Sequence, residues 1–242
     1  MKHGILIISF IFSSFVPLFA SYDDALKLFD EKKYRESLKI IADQLDVKKD
    51  ADPASPNYKL RYLAAHIHWK LGNYEPSLLH FKKCMQMKPE SEDPYIDASL
   101  MLISAKKFND AEQMVNRGLE IKKSPMLYFV YGKIAMHNEN YWKAKELLEK
   151  AIALEPELYA AYNSLGITLM KLNRPSGANT AFSAALSINP NSAEIMNNLG
   201  YSFMALGKYD ISVKYFEKAT LVDPENETIK ANLQYAKSKT GK

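Results

Sequence analysis

Along most of the chain, apolar residues recur at the spacing of amphipathic α-helices, and short turns rich in glycine or proline interrupt them. Residues 193–226 illustrate the pattern: apolar positions up to Phe203 predict a first helix, and Gly207 ends it. A second helix is predicted from Tyr209 towards Pro224, because proline disfavours helical backbone in the residue before it. The pattern therefore predicts two antiparallel helices joined by a tight turn.

The same helix pair returns at a constant interval along the chain. A glycine in the first helix, an alanine in the second and a proline at the end keep fixed offsets, with leucine before the glycine in the last two copies. These positions are Gly132, Ala151 and Pro156, then Leu165, Gly166, Ala185 and Pro190, then Leu199, Gly200, Ala219 and Pro224. Since one helix pair cannot bury both its faces, neighbouring pairs must stack into a solenoid.

Small residues are predicted where helices touch. Gly200 lies where the first helix meets the second, so that a Cβ would obstruct the contact, and Ser212 is its small counterpart. Ala219 is small so that the first helix of the next pair can approach. Residues 226–239 predict a further helix with lysine and asparagine on its outer face, as a C-terminal cap requires.

These residues resemble the tetratricopeptide repeat family, and the resemblance covers nearly all of the chain after residue 20. It implies an all-α fold, a right-handed superhelical solenoid of antiparallel helix pairs. The predicted division is a degenerate first helix pair and linker at 21–57, five repeats at 58–91, 92–124, 125–158, 159–192 and 193–226, and a capping helix and tail at 227–242. The polar connection 46–57 is long for one between helices, so we expect the first pair to lie a little apart.

The first twenty residues predict a secretory signal peptide. Lys2 precedes the almost wholly apolar segment 5–19, and Ala20 stands before a polar stretch. Cleavage after Ala20 would leave a chain that begins at Ser21. The alternative is an uncleaved membrane anchor, although the apolar run is shorter than the ~20 residues that span a bilayer as a helix. From this signal we expect export to the periplasm or cell envelope. We infer a bacterial source because the signal is short and disulfide cysteines are absent.

Composition and motifs argue against several classes of function. The formal net charge of +4 over 242 residues is too slight and scattered to indicate a nucleic-acid partner. The one cysteine, Cys84, occupies an alanine-type position between helices, so we expect it to pack rather than react. His66 and His68 point to different faces of a helix and do not suit a metal. Phosphate-loop, zinc-protease and serine-hydrolase motifs are absent, so we predict no enzyme activity and no cofactor.

The family resemblance implies that the first helix of each pair lines a concave groove, which family members generally use for ligands. The residues at the matching positions are Tyr62, His66, Phe129, Lys133, Met136, Asn163, Ile167, Met170, Asn197, Asn198, Tyr201, Met204, Asn232 and Tyr235. These are the candidate partner-binding residues.

Two regularities in this set have more than one interpretation. Met136, Met170 and Met204 share one position in three successive repeats, and a row of unbranched, polarizable side chains suits an apolar ligand of loose specificity. Alternatively, the methionines fill gaps between helices or hold a cuprous ion. Asn198 and Asn232 are separated by the same interval, and their amides suit either the backbone of an extended peptide or neighbouring helical turns.

The sequence therefore predicts a non-enzymatic scaffold or adaptor in the cell envelope that holds a peptide or protein partner in the groove. The alternative is a module that binds a small hydrophobic ligand or solute and works with a transporter. An open groove favours the scaffold, whereas a closed apolar cavity favours the small ligand.

Overall fold

The computed structural model describes residues 21–50, 52 and 55–240, which form thirteen α-helices and one 3-10 helix and contain no strand. The predicted all-α fold of repeated helix pairs is confirmed, whereas the signal peptide predicted at 1–20 lies outside the described residues. Over these described ranges, no helix is both long and apolar enough to cross a bilayer.

The described residues divide into two compact units, one that ends at Met87 and one that begins at Lys88. The first unit contains α1 (Tyr22–Asp30), α2 (Tyr34–Gln44), the 3-10 helix (Val47–Lys49), α3 (Asn57–Lys70) and α4 (Tyr74–Met87). The second contains α5 (Asp93–Ser104), α6 (Phe108–Ile121), α7 (Pro125–His137), α8 (Tyr141–Leu154), α9 (Tyr159–Lys171), α10 (Pro175–Ile188), α11 (Ala193–Ala205), α12 (Tyr209–Val222) and α13 (Glu227–Lys239). Consecutive helices pack in pairs, and within the second unit each pair packs on the next.

Every turn inside a helix pair contains one residue in the left-handed region. Two of these residues are glycines, with φ of +75° at Gly72 and +73° at Gly207. The other four are Lys32, Lys106, Glu139 and Asn173. The prediction that Gly207 ends the first helix of its pair is confirmed, because α11 ends at Ala205 and the chain reverses through this turn.

The helices of a pair touch where the sequence has glycine. A Cβ added to Gly166 would lie 2.4 Å from the Cε1 atom of Phe182, and one added to Gly200 would lie 2.8 Å from Cε1 of Phe216. Both phenylalanines are fully buried between the helices of their pair. The close contact predicted at Gly200 is confirmed, and the large aromatic ring of the second helix explains it.

The last helix, α13, covers the end of the second unit. Asn226 caps it by accepting a hydrogen bond from the Ile229 N–H at 3.3 Å. Ile229 packs against Ala219 of α12 and Met196 of α11, so the small residue at 219 makes room for it. The predicted C-terminal capping helix is confirmed.

The first helix pair does not lie apart from its neighbour, contrary to the expectation from the length of its connection. Ala25 of α1 and Ile41 of α2 share one core with four buried residues of α3, namely Leu60, Leu63, Ala64 and Ile67. Length alone gave the wrong expectation because the connection folds back on α3 instead of spanning a gap.

Asp50 ties this connection to α3. Its carboxylate accepts hydrogen bonds from Arg61 Nε at 2.7 Å and from Asn57 Nδ2 at 2.9 Å, and it forms a second bond with the Arg61 guanidinium. The hydrogen bonds from Arg61 hold the pKa of Asp50 below its ordinary value. Since Arg61 is buried, its positive charge is compensated by this carboxylate, and the ion pair holds the connection against α3.

Candidate binding surface

The first helices of successive pairs lie side by side in the second unit, where α7 contacts α9, α9 contacts α11, and α11 contacts α13. Candidate residues on these helices form one face, which we call the A-helix surface. It consists of Phe129, Lys133, Met136, Asn163, Ile167, Met170, Asn197, Asn198, Tyr201, Met204, Asn232 and Tyr235. Most of these side chains are half-buried, while Tyr201 and Tyr235 are 48% and 52% exposed. The structure therefore leaves this predicted set accessible to a partner.

The two candidate residues of the first unit lie together on α3. The rings of Tyr62 and His66 meet edge to face, with centroids 4.8 Å apart, and both rings also meet the edge or face of Phe81. Phe81 is fully buried, so these two half-buried side chains form part of the aromatic packing of their helix pair.

A pocket of about 470 Å³ opens on the A-helix surface between α7, α9 and the first turn of α11. It brings together five of the predicted residues, Phe129, Lys133, Met136, Asn163 and Ile167. Sequence reasoning missed the other lining residues, which are His137, Tyr141, Tyr159, Ala160, Ser164, Lys171 and Glu194. One signal was present: His137 and Lys171 are both basic residue types, and they occupy the same position of successive repeats, in the last turns of α7 and α9.

The asparagines bind one another between neighbouring helices. Asn198 Nδ2 donates to Asn163 Oδ1 at 3.0 Å, and Asn232 Nδ2 donates to Asn197 Oδ1 at 2.9 Å. Asn163 Nδ2 in turn donates to Glu194 Oε1 at 2.9 Å. This geometry favours the interpretation in which the asparagines join adjacent repeats. Each donating amide keeps a second N–H, so these bonds also hold polar groups in fixed positions.

The methionines divide between two environments. Met136 and Met170 are half-buried and pack against the core around Leu165 and Leu169, as residues that fill gaps between helices do. Met136 also lines the pocket, where its thioether is part of the apolar wall. Met204 is half-buried on α11. Packing therefore accounts for two of the three methionines, and one of these two also contributes to the pocket.

The pocket carries opposite charges at its two ends. Lys133, whose Nζ lies 5.6 Å from the centroid of the Phe129 ring, and Lys171 stand towards the last turns of their helices. Glu194 stands in the first turn of α11, where the helix dipole favours a carboxylate. Aromatic and aliphatic side chains line the space between these ends, so the pocket suits an apolar group with a charge beside it.

Reactive side chains in the first unit are held in unreactive states. Cys84 is buried, and burial raises the pKa of its thiol to about 12, so the thiol stays protonated and packs like a small apolar residue. His80 stacks on His68 with ring centroids 5.5 Å apart, and burial lowers the pKa of His80 to about 4. The described residues contain no cluster of three His, Cys, Asp or Glu side chains placed to hold a metal ion.

Two family models, both described as tetratricopeptide repeat, match the chain, one at residues 58–91 and 193–226 and the other at residues 129–193. The chain belongs to the tetratricopeptide repeat family, as its resemblance predicted. No curated protein is significantly similar to it in sequence.

Solved structures of other tetratricopeptide-type proteins are similar in fold. PilW, described as a widely conserved type IV pilus biogenesis factor, has 17% identity and a TM-score of 0.72, with 88% of this chain and 95% of that chain covered. YrrB, described as a TPR protein with an unusual peptide-binding site, has 16% identity and a TM-score of 0.58, with coverage of 90% and 100%. MamA from Desulfovibrio magneticus RS-1 has 17% identity and a TM-score of 0.61, with coverage of 72% and 98%. At such identities the similarity concerns the fold alone.

Proposed function

We propose that this protein is a non-enzymatic scaffold of the cell envelope that holds a peptide or protein partner on the A-helix surface. The observation that carries the proposal is the open pocket on this surface, together with the exposed rings of Tyr201 and Tyr235 farther along it. Large, rigid aromatic side chains that stand partly in water are typical anchors of protein interfaces. The description of YrrB as a peptide-binding repeat protein supports the same use of the fold.

The asparagine bonds add to this argument. Because Asn163 and Asn197 hold the amides of the neighbouring helices, an incoming peptide meets polar groups that are already ordered. A side chain that is fixed before binding loses less conformational entropy when a partner binds. The remaining N–H of each donating amide is of the right chemistry for a peptide carbonyl.

A small hydrophobic ligand is the second candidate, and the pocket volume supports it. About 470 Å³ lies within the range of ~300–1,000 Å³ that is usual for small-molecule sites. The pocket is nevertheless open to solvent, and Lys133, Lys171 and Glu194 stand at its rim. An open, charged rim favours a peptide that continues beyond the pocket over a ligand that must be enclosed.

Export is part of the proposal, and the start of α1 is compatible with it. Ser21 and Asp24 form a capping box, in which the Ser21 N–H donates to the Asp24 carboxylate at 2.7 Å. Cleavage after Ala20 would turn this N–H into an ammonium group beside the same carboxylate, so the cap would survive. N-terminal sequencing of the native protein should therefore begin at or near Ser21. Recovery of intact Met1 in a carbonate-resistant membrane fraction would support an anchor instead.

A photo-crosslinking amino acid on the A-helix surface tests the scaffold function. Benzoylphenylalanine at position 201 or 235 should give covalent adducts with partner proteins in native cells. The matched control is Leu221 of α12, which is 83% exposed on a second helix of a pair. Equal adducts from all three positions would show that contact does not depend on the A-helix surface, and the proposal would then be wrong.

A further inference from the structure

We propose that the pocket between α7 and α9 reads an acidic peptide motif, in which a large apolar side chain enters the pocket and a carboxylate two residues away binds Lys133 and Lys171. This inference rests on the proposed scaffold function, because it names the class of partner that the A-helix surface takes. It follows from the apolar lining, from the charge at the two ends and from the distances along the helices.

The lining provides the place for the apolar side chain. Phe129, Met136 and Ile167 are half-buried on neighbouring helices, and Tyr159 is 43% exposed at the start of α9. Water in contact with these groups is released when an apolar side chain replaces it, which favours binding. Aromatic walls also favour an aromatic occupant, since ring pairs gain from edge and offset contacts.

The basic end provides the place for the carboxylate. Within the described residues neither Lys133 nor Lys171 forms an ion pair, whereas Lys145 and Lys150 of α8 each pair with a glutamate of the same helix. His137 adds a third basic group at this end of the pocket. The positive charge beside the pocket is therefore available to an acidic partner, and it would also attract that partner before contact.

Spacing along the helices matches an extended peptide. Lys133 follows Phe129 by four residues, and Lys171 follows Ile167 by four, which is about one helical turn or ~6 Å in each case. Side chains two residues apart on an extended strand point to the same side and lie ~6.5–7 Å apart. An apolar residue in the pocket thus places the side chain two positions away beside the lysines.

Glu194 sets the direction of the motif. It lies at the opposite end of the pocket from Lys171, where Asn163 donates a hydrogen bond to its carboxylate. A second carboxylate at that end would be repelled, so the acidic residue of the partner belongs at the lysine end.

Fluorescence anisotropy of labelled peptides with the purified protein tests this motif. The probe is a glycine-rich peptide with a central tryptophan and one glutamate two residues away, made with the glutamate before or after the tryptophan and used in the order that binds more tightly. Its controls replace tryptophan by alanine, or the glutamate by glutamine. We expect each control peptide to bind about tenfold more weakly, which is ~1.4 kcal/mol. Three peptides of equal affinity would overturn the inference.

Variants of the protein test whether the acidic peptide binds at this pocket. Lys171→Glu should weaken the acidic peptide about fivefold or more, while Lys214→Glu, an exposed lysine of α12 with the same change in net charge, should leave it unchanged. Tyr159→Ala should weaken the peptide with tryptophan but not the one with alanine. Thermal melts show that each variant is folded. Equal losses in the two lysine variants would mean that binding follows net charge alone, against the inference.

Two outcomes separate this inference from the scaffold function. If crosslinks from position 201 persist while the three peptides bind alike, the scaffold function stands and the acidic motif is wrong. If dodecanoate, an apolar chain with one carboxylate, displaces the peptide and binds more tightly, and crosslinks from positions 201 and 235 do not exceed those from 221, the pocket serves a small ligand and both proposals are wrong.

Discussion

Replacing Gly166 by alanine should destabilise the second unit, although alanine is the better helix former. A Cβ at this position would lie 2.4 Å from Cε1 and 2.6 Å from Cδ1 of Phe182, whereas carbon atoms in good contact stand ~3.5–4.0 Å apart. Phe182 is 1% exposed, so protein atoms surround its ring on all sides. The chain must therefore separate α9 from α10 or distort the ring.

The net loss follows from two opposing effects. Overpacking of a buried contact costs ~1–3 kcal/mol, and an overlap of about 1 Å with a fully buried ring belongs at the upper end of that range. In the opposite direction, alanine stabilises the interior of a helix by up to ~1 kcal/mol relative to glycine. The free energy of unfolding should thus fall by about 2 kcal/mol. For a unit of this size, that lowers the melting temperature by ~4–8 °C.

Alanine substitutions at two other glycines serve as comparisons for Gly166→Ala. Gly200→Ala brings its Cβ to 2.8 Å from Phe216 and should cost less than Gly166→Ala. Gly177→Ala, in α10, meets Leu169 at an ordinary 3.4 Å and should raise the melting temperature, because only the helix propensity changes. Thermal unfolding, monitored by circular dichroism, gives the melting temperatures of the three variants. If the loss does not follow the overlap, or if Gly166→Ala melts no lower than the parent, the close-contact argument is wrong.

Three further predictions concern polar groups. Asp50→Ala should lower the free energy of unfolding by about 3 kcal/mol in urea titrations, because Arg61 is left buried without its partner; an unchanged midpoint contradicts this. Burial lowers the pKa of His80 to about 4 from an ordinary 6.5, so the unfolded chain is protonated first and stability should fall as the pH drops from 6.5 towards 4. In a His80→Phe variant the free energy of unfolding should fall less over this pH range. If it falls as steeply as in the parent protein, groups other than His80 cause the pH dependence. Alanine variants of Asn163 and Asn198 should show a coupling energy of ~0.5–1 kcal/mol in a double-mutant cycle, and additive losses would mean that their 3.0 Å bond adds nothing.

Local chemistry explains why much of the fold could be predicted. Gly207 and Pro224 act on the backbone next to them, so α11 and α12 begin and end close to the predicted positions. Gly200 and Ala219 are small because a neighbouring helix comes close, and repetition at fixed offsets marked both positions. The first helix pair was mispredicted for the opposite reason, since it shares a core with α3 and the Asp50–Arg61 ion pair holds the connection back against that helix, which the length of the connection does not reveal.

The sequence alone determined the helix pairs, their tight turns and the set of residues on the first helices, because periodicity and spacing act along the chain. Only the tertiary structure decided which of those residues meet. Asn198 binds Asn163 rather than the residue at the matching position of the preceding repeat, because adjacent helices are offset when they pack. The same packing brings together three residues that line one pocket. Tyr159 begins α9, Lys171 ends α9, and Glu194 lies in the first turn of α11. Contacts between helices depend on how far one helix is rotated and shifted relative to its neighbour. Packing between repeats determines this placement, so the sequence of a single repeat does not reveal it.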